Sequence, residues 1–228
     1  MYISLLLLAI QSDPVEATTN LEHQSVLELL TQGGWYIMLP LALMSLFTIY
    51  VYFERYMAIR KAESTPPDFM KRLKDHISEG QLSSAKNLCA DNDNPMARML
   101  EKGISRIGKP LKDISASIEN VGKLEIYKLE KNLSILATVA GAAPMIGMLG
   151  TVIGMVDVFV KMEQGGTVNI STISGGTMQA MVTTIVGLIV GIIAYMSYNH
   201  LVSKVSKVVH KMESTSLEFI DILEEPAR

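Results

Sequence analysis

The chain has 228 residues, 49% hydrophobic and 19% charged, with a mean hydropathy of +0.28. A soluble domain needs a charged surface, so a positive mean at this length argues against an ordinary cytosolic enzyme. With 20 basic and 23 acidic residues, a net charge of −3, the chain lacks the cationic surplus of a nucleic-acid binder, and its one cysteine, Cys89, rules out a disulfide framework and a cysteine-ligated zinc or iron–sulfur site. What remains is a membrane protein, and its apolar runs, taken in chain order, lead to the expectation of an all-α fold.

The first apolar stretch, residues 2–10, is too short to span. It reads as the hydrophobic part of a secretory signal or as an amphipathic leader on the outer surface, so residues 1–33 are assigned to the periplasmic side, with cleavage left open. Residues 34–53 form the first expected span. Its apolar run approaches the ~20 residues a spanning helix needs, and Trp35, Tyr36, Tyr50, Tyr52 and Phe53 sit at its ends as interface anchors.

Residues 54–131 follow as a cytoplasmic helical region. Within it, residues 68–76, 81–90 and 96–107 read as short amphipathic helices, punctuated by Pro66-Pro67, Gly80, Pro95 and Pro110. From Asp113 no proline or tight turn intervenes until Pro144, so one long helix is expected to run from the cytoplasm straight into the membrane. Residues 132–160 are the second span, 161–173 a periplasmic loop and 174–201 the third span. Residues 202–228 form a helical tail, with Leu201, Val205, Val208, Met212 and Leu217 roughly in step. Lysines and arginines cluster after span one, before span two and after span three, which puts the N-terminus outside and the C-terminus inside.

Inside the spans, small residues recur on one helix face: Ala140, Ala143, Gly147, Gly150 and Gly154 in span two, and Ala180, Thr184, Gly187, Gly191 and Ala194 in span three. Such stripes let membrane helices approach closely. The pattern leaves open contact within one subunit, contact between subunits, or a smooth wall around something else. Thr138, Thr151, Gln179, Thr183 and Thr184 are the polar residues at these depths. A membrane threonine usually bonds back to its own helix, and Thr151 and Thr184 stand out by lying beside or on the stripes. No Asp, Glu, Lys, Arg or His lies mid-span, so any proton relay needs an ionisable group from a partner. Pro144 removes a hydrogen bond to the Ala140 carbonyl and is expected to kink span two. Met145, Met148 and Met155 read as plain core packing.

The run ATVAGAAPMIGMLGTVIGMVDVF, residues 137–159, closely resembles the second span of the MotA/TolQ/ExbB proton-channel family, with its AP-x-x-GLLGTV-x-GM pattern. Residues 173–201 resemble that family's third span, and residues 79–106 are similar to its cytoplasmic region. The likeness extends from about residue 25 to 215. Three spans with the N-terminus outside resemble the ExbB and TolQ branches rather than the four-span flagellar stators, and the leader and short tail lean toward ExbB.

The resemblance implies a ring, five copies in the family, in the bacterial inner membrane. This ring surrounds single-span helices of an ExbD-type partner, which supplies the membrane aspartate this chain lacks. Work from proton flow would pass through a TonB-type protein to outer-membrane transport. Thr151, in GTV, and Thr184, in TTIVGL, match the family's pore-facing threonines, and Thr183 is placed with them on the expected proton path. Two departures stand out: Gln179 occupies a position where many relatives have glutamate, and Gly191-Ile192-Ile193-Ala194 replaces a proline-containing segment. A TolQ-like role in envelope integrity and constriction is the nearest alternative, and a passive membrane scaffold is the alternative of another class. Enzymatic activity, a metal and a cofactor are not expected: His76, His200 and His210 lack ligand spacing, and Cys89 lies on an apolar helix face.

Overall fold

The computed structural model describes residues 34–64, 66, 68–165 and 170–224, and the leader expected over residues 1–33 lies outside them. Among the described residues every regular element is a helix: α1 (Trp35–Glu63), α2 (Phe69–Ser78), α3 (Leu82–Ala90), α4 (Pro95–Ile104), α5 (Leu111–Glu130), α6 (Leu133–Gly165) and α7 (Ile170–Glu224). Among the described residues three helical segments are long and apolar enough to cross a membrane: α1, the stretch from α5 through most of α6, and most of α7. At 1.5 Å per residue the 55 residues of α7 reach about 80 Å. A hydrocarbon core is only about 30 Å thick, so much of this helix must stand in water.

Two layers of packing follow. In the apolar layer, Ile37, Leu41 and Met44 of α1 pack on Val139, Ala143 and Ile146 of α6 and on Val186, Val190 and Ala194 of α7. In the second layer, the stems of α1, α5 and α7 gather the short helices around a larger core of Ile59, Phe69, Leu73, Cys89, Met96, Leu100, Ile118, Leu201 and Phe219. Helix α4 begins where its sequence dictates. The buried Asn94 accepts from the Ala97 backbone N–H at 2.7 Å, and Pro95 fills the first position, where no backbone donor is needed. Burial pushes the Cys89 thiol up to about 12, which makes it inert packing rather than a nucleophile.

Two expectations are corrected. The single helix expected from Asp113 onward is broken at Lys131 and Asn132, between α5 and α6. Asn132 takes a positive φ of 64°, a conformation asparagine tolerates better than most residues. The break frees the Lys128 carbonyl, and Arg55 of α1 donates to it from Nη1 at 3.2 Å, while Asn132 reaches Glu54 at 3.5 Å. Partners 73 and 78 residues away in sequence thus hold the bend. The second correction concerns the tail. Leu201, Val205, Val208 and Met212 are buried, but Leu217 is 68% exposed, and the inward row continues through Thr215, Phe219 and Ile222. Leu217 is out of step with that alternation of four- and three-residue steps, which fits one face of a helix.

Candidate functional site

Helices α6 and α7 run antiparallel with their small residues face to face. A Cβ placed on Gly187 would lie 2.6 Å from the Ala143 carbonyl oxygen, and one on Gly147 would lie 3.2 Å from the Gly187 Cα. Farther along, Gly154 meets Ala180 and Gly176, and Gly191 meets the Pro144 ring and the Ala140 carbonyl. The Ala140 carbonyl is the one Pro144 leaves without its usual helical donor, so the bared group is covered by a glycine of the neighbouring helix. Backbone approach this close is what small residues permit where lipid offers no hydrophobic drive.

The three threonines occupy different settings. Thr183 is 1% exposed, packs its side chain on Gly150 and donates to the Ala180 carbonyl at 2.8 Å. It therefore sits inside the α6–α7 contact. Thr184 is half-buried, and its hydroxyl lies 3.2 Å from the Gly147 carbonyl across the helix pair and 3.5 Å from the Ala180 carbonyl of its own helix. Thr151 is half-buried and donates to the Met148 carbonyl at 2.6 Å.

At 3.6 residues per turn, Thr151 shares a face of α6 with Pro144, Met148 and Met155, and Thr184 shares a face of α7 with Thr177, Met181 and Leu188. These faces turn away from Ile146 and Val186, which pack toward α1. Met145, Met148 and Met155 are exposed on the single chain, so the core-packing role expected for them does not hold within it. Gln179 points elsewhere: its amide nitrogen packs against Gly34, at the start of α1, where a Cβ would strike it. Toward the C-terminal end of α6, Asp157 pairs with Lys161 at 2.6 Å. Among the described residues no cluster of His, Cys, Asp and Glu is suited to a metal.

Sequence reasoning missed a charged cluster just below the apolar layer. Glu125 of α5 is 3% exposed and accepts from Arg98 Nη2 and from Lys128 Nζ, each at 2.6 Å. Burial pushes its carboxyl up, but the hydrogen bonds from Arg98 and Lys128 outweigh that and hold it below the usual glutamate range. Asp93 joins Arg98 at 2.5 Å to Lys61 at 2.6 Å. The available signal was Glu125 itself, a carboxylate in the inward register of Ile114, Ile118, Gly122 and Leu129.

A multi-pass helical membrane protein with a close-packed pair of apolar helices is the class this architecture defines. The family model described as the MotA/TolQ/ExbB proton channel family matches residues 91–214, and the chain belongs to that family. It is 25% identical over 216 residues to the Tol-Pal system protein TolQ of Pseudomonas aeruginosa, covering 89% of this chain and 94% of that one. An ExbB homologue of Methanothermobacter thermautotrophicus is 24% identical over 190 residues, 83% of this chain and 67% of the relative. The biopolymer transport protein ExbB of Aquifex aeolicus is 43% identical over 93 residues, 40% of this chain and 63% of the relative.

Proposed function

We propose that the chain is the wall-forming subunit of an ExbB–ExbD type proton-driven motor in the bacterial inner membrane, energising TonB-dependent transport across the outer membrane. One observation carries this reading: Thr151 and Thr184 are half-buried on the faces of α6 and α7 that turn from α1, in helices whose apolar stretches hold no Asp, Glu, Lys, Arg or His in their middle. Hydroxyls can solvate a proton's passage, but a titratable carrier has to come from elsewhere. A single-span partner with a membrane aspartate, facing a ring of these subunits, supplies it. The exposed apolar residues on the same face, including Met148, Met181 and Leu188, are then covered by that partner or by neighbouring copies. Thr183, sealed between α6 and α7, serves the wall rather than the path. Each charge crossing 100 mV releases about 2.3 kcal/mol, so several protons are needed for any large mechanical step.

The test is Thr184→Val against Thr184→Ser, read as energised transport in cells and as ring assembly in detergent. Valine, nearly the same size, is expected to lower transport about tenfold, some 1.4 kcal/mol at the barrier, with the ring intact, and serine to keep most of it. Unchanged transport in Thr184→Val would remove Thr184 from the path. A TolQ-like role in envelope integrity is the second reading, favoured by the alignment over nearly all of the Pseudomonas protein; the partner's identity separates the two.

A further inference from the structure

A pocket of about 340 Å³ opens beside the charged cluster, between the lower end of α1 and the junction of α5 with α6. Arg55, Lys61, Arg98, Lys128 and Lys131 line it, against the carboxylates of Asp93 and Glu125. Counting also Glu54, which pairs with Arg55, two positive charges remain in excess. The side chains of Lys61 and Lys128 are mostly exposed at the mouth, whereas the Arg55 side chain is only 10% exposed. The carboxylates are already shared: Glu125 serves Arg98 and Lys128, and Asp93 serves Arg98 and Lys61. The Nε–H groups of both Arg55 and Arg98 are nonetheless buried with no acceptor.

A buried donor without a partner is costly; the two arginines that carry such donors line a pocket with surplus positive charge, and that lining matches the chemistry of an oxyanion with several acceptor oxygens. The depth narrows the source. Arg55 lies two residues beyond the aromatic end of the α1 apolar run, and Lys131 lies two residues before α6 begins at Leu133. Both positions fall at headgroup level, on the side where basic residues face the anionic leaflet.

We propose that this pocket is a phosphate-binding site, filled by the phosphodiester of an anionic phospholipid of the cytoplasmic leaflet. It stands apart from the proton path, so failure of one reading leaves the other intact. Arg55, Arg98 and Lys131 all line the pocket and would face the phosphate with their positive charge, Lys131 closing the mouth. Because Arg55 also holds the α5–α6 bend through the Lys128 carbonyl, an occupied site would brace the point where the cytoplasmic stem enters the membrane.

The experiment titrates the full chain in neutral detergent with phosphatidylglycerol, phosphatidylcholine or inorganic phosphate. Bound lipid is read by native mass spectrometry and stability by the thermal midpoint. Phosphatidylglycerol is expected to bind and raise the midpoint while phosphatidylcholine does not. Lys131→Gln, a change at an exposed position, should weaken phosphatidylglycerol binding about fivefold, the effect of one basic residue at a charged leaflet. Arg55→Gln should weaken it further, and Lys86→Gln, an exposed lysine of α3 away from the pocket, should leave it unchanged. Equal responses to the two lipids, or equal losses in Lys131→Gln and Lys86→Gln, would overturn the site. An equal response to inorganic phosphate, with the same dependence on Lys131, would overturn the lipid source and assign the pocket to the free anion.

Discussion

Thr183 and Thr184 are neighbours in sequence, yet a turn of 100° between adjacent helix positions gives them separate tasks. Thr183 fills the space left by Gly150; Thr184 reaches the Gly147 carbonyl and stays partly open. An interhelical hydroxyl contact of this kind contributes on the order of 0.6–2 kcal/mol in membranes, so Thr184→Val also costs a little stability, and assembly must be read beside transport. Below the apolar layer, Glu125 makes a separate prediction. Its carboxyl is held below the usual range, so its contribution is complete above the unfolded-state value and is lost as pH falls through the lower folded value. Glu125→Gln is expected to destabilise the chain by roughly 1.5–3 kcal/mol at pH 7, the worth of hydrogen bonds to a charged group. The gap should shrink steadily as pH falls below the ordinary carboxylate range. Unfolding midpoints of both proteins across that range check this, and a gap independent of pH would mean that the ionised pairing is not what stabilises.

The α6–α7 pair makes a sharper claim about glycine. Replacing glycine by alanine inside a helix ordinarily stabilises it by about 0.8–1.0 kcal/mol. At Gly141, where an added Cβ meets nothing within 4 Å, that ordinary gain is expected. At Gly187 the Cβ would strike the Ala143 carbonyl and the backbone of Gly147, which cannot yield as a side-chain tip can. Gly187→Ala should therefore lose roughly 1–3 kcal/mol, the cost of overpacking. Comparing detergent unfolding of the two variants tests the interface, and matched behaviour would refute it. The existence of small faces was legible from spacing alone, but which partner they meet was not, since a helix face carries no address. The α5–α6 break was hidden for a similar reason: neither proline nor glycine marks Lys131-Asn132, and its acceptor is occupied by Arg55 from a distant helix. Leu217 shows the converse, an apolar residue at an outward position that spacing must place correctly before its hydropathy means anything.

At the scale of the molecule, long apolar runs made the three spanning helices readable, because a bilayer demands length and the absence of charge. Resemblance along the second and third spans made the family readable, and the family model matches residues 91–214, which include both. The charged cluster around Glu125 escaped because it is assembled from α1, α4 and α5, each of which looks like an ordinary amphipathic or boundary segment alone. The architecture divides labour accordingly: a thin apolar layer of close-packed helices, and a charged stem that holds them in register below. That arrangement has no proton carrier of its own in the apolar stretches of its described spans, and the proposed function depends on a partner to supply one. Native mass spectrometry of the complex, gently extracted from its own membranes, tests this most directly. The account predicts a ring of this chain holding a small single-span protein with a membrane aspartate. A stable homo-oligomer without any such protein would contradict it and leave a passive scaffold in its place.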